Sequence, residues 1–144
     1  MQLLTISGLE GGASGINVSA QYNPKELGVE QVIDWRTAKW EGPDLDSVAA
    51  APRTMSFELM FDTLESGTPI QHTVAALHKL SGVDIALKRP AKVKVVWGAE
   101  GTRGVVPAFE GVIESIGVKY TMFNADGVPL RATVGIRVIA TSRP

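Results

Sequence analysis

Two histidines are the side chains of this sequence best suited to bind a transition metal, but their spacing argues against that use. His72 and His78 lie six positions apart in a segment predicted to be helical, so their side chains point about 240° apart. Ligands of one metal ion normally share a face. The sequence contains no cysteine, which excludes disulfides, thiolate catalysis and cysteine-ligated metals. We therefore expect both histidines to be solvated surface residues.

Paired carboxylates are the next candidates for chemistry. Glu110 and Glu114 share one face of a predicted strand, and at about 3.3 Å per residue they lie about 13 Å apart. Paired glycosidase carboxylates lie only about 5–9.5 Å apart. Asp44 and Asp46 lack a third acid at calcium-loop spacing, and the glycines of segment 8–15 fit no nucleotide-binding fingerprint. The sequence therefore predicts no catalytic, cofactor-binding or metal site, and we expect a protein that is not an enzyme.

Length and charge are typical of a single globular domain. The chain has 144 residues, of which 44% are hydrophobic and 20% charged, and a formal net charge of −1. One domain spanning 1–144 is expected at this length. The charge balance provides no basic surface for nucleic acid or an anionic membrane. Because signal-peptide features and a membrane-span-length apolar run are missing, we expect synthesis and folding in the cytoplasm and no direct membrane insertion.

The last third of the chain predicts a long β-ribbon. Segments 109–123 and 130–140 are separated by a turn rich in Asn, Asp, Gly and Pro. Apolar and polar residues alternate in the second segment, and a period of two makes one face of a strand apolar and the other polar. The apolar set is Leu130, Ala132, Val134, Ile136, Val138 and Ala140. A long ribbon with one hydrated face suits a sheet that lines an aqueous space.

Weaker patterns complete a mainly β domain with one helix. Further strands are expected over 1–6 and, from their alternation, over 16–22, 53–62 and 91–98. Segment 68–82 has helical apolar spacing, with Thr68 as the N-cap and Gly82 as a left-handed residue at the end. Within 109–123 the parity of the apolar residues reverses, which predicts a β-bulge near 115–117.

Three tryptophans differ in their sequence context. Trp97 closes a predicted strand and is expected in the core. Trp35 and Trp40 lie among charged residues in segment 25–40, which fits neither the helical nor the strand period. They suit either a local apolar cluster or a subunit contact, where aromatic residues are enriched. The connector 41–52 has a length typical of functional or mobile loops, which favours the contact.

Several short motifs occur in a distinctive order along the chain. They are Tyr22-Asn23-Pro24, FELMFD at 57–62, Val96-Trp97-Gly98 after Pro90, FEGVI at 109–113 and FNADGVPLRA at 123–132. In this order they resemble the N-terminal domain of tube-type baseplate proteins of contractile injection systems, the LysM-bearing adaptors of phage-tail-like particles. The resemblance covers about 16–140. Relatives carry a LysM domain beyond a linker, and no such domain is expected within 1–144.

The resemblance implies a tail-tube fold, an antiparallel β-barrel or sandwich with one packed helix, whose long strands join a ring-wide barrel. It also implies a ring, expected to be six-fold, that joins the spike hub to the inner tube of an injection particle or virion tail. The expected partners are other copies of the chain, the hub protein, the inner tube protein and other baseplate subunits. The side chains expected to face the lumen are Glu110, Glu114, Lys119, Arg131 and Arg137, and subunit contacts are expected at Trp35, Trp40, Asp126 and Gly127.

Two alternatives to the adaptor ring remain open. An inner tube subunit of the same machine would stack in many copies, whereas an adaptor would form one ring per particle. A monomeric β-barrel that binds an apolar ligand, as lipocalin-like folds do, would need an apolar interior cavity.

Overall fold

The computed structural model describes residues 2–31, 52–99 and 102–141; Trp35, Trp40 and positions 41–51 of the connector lie outside the described residues. The strands are β1 (Thr5–Gly8), β2 (Asn17–Ser19), β3 (Leu27–Gln31), β4 (Arg53–Asp62), β5 (Val83–Asp84), β6 (Arg89–Pro90), β7 (Val93–Val96), β8 (Phe109–Phe123) and β9 (Pro129–Ala140). The helices are α1 (Thr63–Ser66) and α2 (Ile70–Ser81), and Gly11–Ala13 forms a 3-10 turn.

Seven of the strands form one antiparallel sheet in the order β2-β1-β7-β8-β9-β4-β3. Strands β5 and β6 form a separate two-stranded hairpin. The prediction of a mainly β, antiparallel fold with one long helix is confirmed. The described part of a single chain is a sandwich-like layer of sheet and helix and does not close into a barrel.

The central strands are the ones in which the sequence alternates most regularly. β4 spans the predicted 53–62, and its odd-numbered apolar residues are buried while Ser56, Glu58 and Met60 are exposed. β9 pairs with it from Thr54 opposite Ile139 to Asp62 opposite Arg131. The buried residues of β9 are Ala132, Val134, Ile136 and Val138. The apolar faces of these strands form the core, as expected from their period of two.

A β-bulge interrupts the pairing of β8 with β9. Ile113 lies opposite Val138 and Ser115 opposite Arg137, so Glu114 is the extra residue. The bulge therefore precedes the predicted span 115–117 by one residue. It turns the later apolar residues of β8 onto the core side, where Ile116, Val118 and Tyr120 pack against the buried cluster.

Helix α2 covers the apolar face of the sheet. Its buried residues are Ile70, Val74, Leu77 and Leu80, which confirms the predicted stripe, and His72 and His78 are exposed. The predicted ends were wrong. Pro69 has an extended ψ of 139°, so it is the N-cap in place of Thr68. Gly82 has a φ of −68°, because the chain passes straight into β5 without a left-handed residue.

The peripheral strands differ most from the sequence expectation. β1 begins at Thr5, β2 ends at Ser19 and β7 ends at Val96, so each is displaced or shorter than predicted. After β2, which lies at one edge of the sheet, the chain crosses to the opposite edge, where Tyr22 forms an isolated bridge with Met60 of β4. The bounds of such short strands depend on pairing with distant segments, which local alternation does not encode. Trp97 is partly buried against the core, in line with its prediction.

Candidate interaction surfaces

The side of the sheet that faces away from α2 carries polar side chains from β4, β8 and β9. We call it the polar face. Its cross-strand rows include Ser56–Arg137–Ser115 and Met60–Thr133–Lys119. Because facing residues in adjacent strands lie on the same side of a sheet, these rows form a continuous surface. The five side chains predicted to line a lumen lie on it: Glu110, Glu114, Lys119, Arg131 and Arg137.

Ion pairs hold three of the five charged side chains in place. Arg137 Nε lies 3.0 Å from Glu114 Oε2, and both side chains are about half exposed. The bulge makes this pair possible, because Ser115 lies opposite Arg137 and the extra residue Glu114 lies directly beside Ser115. Arg131 donates from Nη2 to Asp62 Oδ2 at 2.9 Å. The two basic residues are therefore neutralised in part by neighbours within the same chain.

Asp62 is a member of this surface that the sequence did not reveal. Its side chain is 7% exposed, and it accepts hydrogen bonds from Arg131 and from the backbone N–H of Leu64, which it caps. The hydrogen bond from Arg131, followed by that from Leu64, lowers the pKa of the Asp62 carboxyl below its ordinary value. Gln21 also bonds to both backbone groups of Asp62. Alternation predicted the strand 53–62, but no pattern in the sequence indicated these partners of Asp62.

A groove of about 990 Å³ lies between the polar face and the crossing segment 22–28. Its lining includes Tyr22, Leu27, Glu58, Thr133 and Arg137. The groove is open and its lining mixes charged, polar and apolar groups. It differs from the dry interior cavity that the ligand-binding barrel alternative requires, because the core side chains face the opposite side of the sheet.

The turn between β8 and β9 ends in an exposed apolar group. We call Met122, Phe123 and Val128 the hairpin tip; they are 48%, 58% and 50% exposed. Asn124 fixes the turn, because its side-chain oxygen accepts from the N–H groups of Asp126 and Val128. Asp126 and Gly127, which were predicted to be at a subunit contact, lie at the end of this turn and are exposed.

A second exposed apolar group follows helix α2. We call residues 83–90 the helix-end turn; its Val83 is 69% exposed and its Ile85 is 92% exposed. Asp84 organises this turn by accepting from the backbone N–H groups of Ala86 and Leu87, and it also accepts from Gly12 N–H at 2.7 Å. Sequence reasoning missed this feature. Its only signal was an aspartate between two apolar residues directly after a helix.

The segment between β1 and β2 is fixed to the helix-end turn by a second carboxylate. Glu10 pairs with Arg89 and accepts from the Lys92 backbone N–H. These two hydrogen bonds, with that from Arg89 the larger, lower the pKa of Glu10 to about 2. The glycine-rich segment 8–15 is thus bound at Glu10 and Gly12.

Within the described residues no group of three His, Cys, Asp or Glu side chains could hold a metal ion. In the same part of the chain, no helix has the length and apolar character needed to span a bilayer. Glu110 and Glu114 are separate exposed carboxylates, and Glu114 is paired with Arg137.

Comparison with known proteins gives one finding. A family model described as contractile injection system tube protein matches residues 3–144 of this chain. The match includes the polar face, the hairpin tip and the helix-end turn. A comparison with curated proteins gives no match.

Proposed function

Because this chain belongs to the contractile injection system tube protein family and is thus a structural subunit of such a system, we propose that copies of it close into a ring, with six copies expected, that joins the spike hub to the inner tube. Its partners are then other copies of itself, the hub protein, the tube protein and neighbouring baseplate subunits. The protein would be a component of an assembled particle, and its family indicates a structural rather than an enzymatic role.

The observation that carries this proposal is the division of one sheet into a dry face and a charged face. The dry face packs against α2, and all five predicted lumen residues share the other face. The hydrophobic core of a single copy uses only the apolar face that packs against α2. The second face, with charges of both signs, suits the wall of a water-filled channel that several copies enclose together.

The edges of the sheet provide a means of joining copies. Within the described residues, β2 and β3 each have a sheet neighbour on one side only. Unpaired edge strands are a template for pairing with another chain, and head-to-tail contacts generate a ring when the rotation between copies closes. Strand β3 is the longer edge, and four of its five residues are exposed.

One observation favours a second candidate within the same machine. The matched family is described as a tube protein, so the chain could be the inner tube subunit that stacks in many copies. The two roles differ in copy number, since an adaptor forms one ring per particle and a tube subunit forms many.

Electron microscopy of purified particles with this chain tagged would test both roles. A single labelled ring next to the spike is the expected result, and label along the whole tube would assign the protein to the tube instead. Light scattering of the purified chain tests ring formation itself. A monomer with a bound lipid, identified by mass spectrometry, would contradict both candidates and support the ligand-binding barrel.

A further inference from the structure

The hairpin tip and the helix-end turn are both rigid apolar projections. Ile85 is 92% exposed and Phe123 is 58% exposed, yet the side-chain oxygens of Asp84 and Asn124 accept hydrogen bonds from backbone N–H groups and so fix the two turns that carry them. A turn whose backbone is already fixed needs less ordering on binding, which favours the apolar side chains that it carries as contact residues.

Both projections contain unusual backbone geometry. Among the described residues, Lys88 and Met122 are the two non-glycine residues with positive φ, at 59° and 54°. Positive φ is uncommon for non-glycine residues, and strained residues cluster at functional sites. One of these residues lies in the helix-end turn and the other in the hairpin tip. The two projections thus share exposure, rigidity and strain.

The two projections lie at different ends of helix α2. Gln71, in the first turn of α2, donates to the Tyr120 hydroxyl, three residues before the tip residue Phe123. The helix-end turn follows the last residue of this 12-residue helix, about 18 Å away along its axis. One subunit therefore presents two separate apolar groups.

Their surroundings are complementary in charge. Lys88 is exposed in the helix-end turn, and Asp126 is exposed beside the hairpin tip. A contact between the helix-end turn of one copy and the hairpin tip of another would therefore pair Lys88 with Asp126 around an apolar centre. A contact between two identical ends would instead bring like charges together.

We propose that the helix-end turn of one copy binds the hairpin tip of the next, through Ile85 and Val83 on one side and Met122, Phe123 and Val128 on the other. This inference rests on the proposed function, because it names the surface through which copies of the chain join. The contact is heterologous, so it closes into a ring or continues along an axis according to the rotation between copies.

Crosslinking tests the contact directly, because the natural chain has no cysteine. Ile85→Cys and Val128→Cys proteins with different tags are mixed at high concentration and treated with a short bismaleimide. The expected product is a mixed dimer, with far less dimer from either protein alone. Val106→Cys is the matched control for Val128→Cys, since Val106 is 42% exposed and belongs to neither projection. Equal crosslinking of the control, or no mixed dimer, overturns the contact.

Assembly measurements separate this inference from the ring proposal. Ile85→Asp is expected to weaken self-association at least about tenfold, the effect of losing one buried aliphatic side chain. Lys88→Asp and Asp126→Lys are each expected to weaken it up to about five-fold, and the double variant to restore it. If wild-type rings form and Ile85→Asp assembles equally well, the contact is wrong and the ring proposal stands. If the wild-type chain neither assembles nor crosslinks, both are wrong.

Discussion

Gly111 lies where two strands approach too closely for a side chain. A Cβ atom built there would lie 2.7 Å from the Ile139 carbonyl carbon and 3.1 Å from the Ala140 Cα. Both are backbone atoms of β9, so neither can move aside without displacing the strand. Gly117, further along β8, has nothing within 4 Å of the same position. Two glycines of one strand therefore have different roles.

Replacing these glycines by alanine should have opposite effects. Gly111→Ala is expected to destabilise the fold by about 1–3 kcal/mol or more, the range for overpacking a core. Gly117→Ala is expected to be neutral or to stabilise by about 0.5–1 kcal/mol, because alanine loses less backbone freedom on folding. Urea unfolding of both variants measures the difference. Equal stability of the two would show that β8 and β9 are not this close.

The ionisation of Glu10 makes the stability of the fold depend on pH. Its hydrogen bonds from Arg89 and from the Lys92 backbone lower its pKa from 4.5 to about 2. A carboxyl whose pKa is lower in the folded state stabilises the fold above its unfolded pKa, and this contribution is lost as the pH falls toward the folded pKa. The window for Glu10 therefore runs from about pH 4.5 down to about pH 2.

The variant Glu10→Gln should be less stable than wild type at pH 7, and the difference should shrink as the pH falls through this window. The measurement is the urea midpoint at a series of pH values. Glu26→Gln, at an exposed position, serves as the control and is expected to follow wild type throughout. A constant gap between Glu10→Gln and wild type from pH 7 to pH 2 would argue against the ion pair.

The β8 strand shows how one extra residue decides which face a whole segment presents. Before the bulge the buried residues are Phe109 and Ile113, which have odd numbers; after it, Ile116 and Val118 of even number face the core. A shift of one residue moves every following side chain to the other face. Glu114 is thus the residue that reconciles both halves of β8 with one core.

Deletion of Glu114 should be tolerated, because Ile113 and Ser115 face the adjacent residues Val138 and Arg137 and the ladder then becomes regular. Deletion of Lys119, in the same strand, should unfold or strongly destabilise the protein, since it moves Tyr120 from the core side to the polar face. Circular dichroism and thermal unfolding of both variants provide the comparison. Equal damage from the two deletions would contradict the assigned register.

At the scale of the whole molecule, the sheet separates two environments. α2 lies on one side, with Lys79 exposed on its outer surface, and Lys119 lies on the polar face. If the polar faces of several copies enclose a channel, Lys79 lies on the outside of the assembly and Lys119 faces the channel. The absence of cysteine allows each position to be labelled separately.

In assembled rings, Lys119→Cys should react with a small maleimide and only slowly with a maleimide on a large polymer, because the polymer is excluded from a narrow bore. Lys79→Cys should react with both reagents at similar rates. In unassembled protein, both positions should react with both reagents. Rapid polymer labelling of Lys119→Cys in intact rings would show that the polar face is on the outside.

Periodicity in the sequence was sufficient to predict the strands and the helix that have a regular apolar pattern of their own. The alternation in β4, β8 and β9 and the apolar stripe of α2 follow from side-chain periods of 2 and 3.6, and the structure has these elements close to the predicted bounds. The reversal of parity in β8 also predicted a bulge, but it did not predict the position of the bulge at Glu114. The helix ends were wrong because Pro69 and Gly82 adopt extended conformations that suit the neighbouring chain.

The pattern of residues alone predicted the two-faced strands, the single long helix and the resemblance to contractile injection system proteins that the family match supports. Only the tertiary structure brought Asp62 to Arg131, Gly12 to Asp84 and Glu10 to Lys92, across separations of 69, 72 and 82 residues. Such partners leave no periodic signal, because each depends on how distant strands are ordered in the sheet. For the same reason the exposed Ile85 and its separation from the hairpin tip by the length of α2 became apparent only in the tertiary structure.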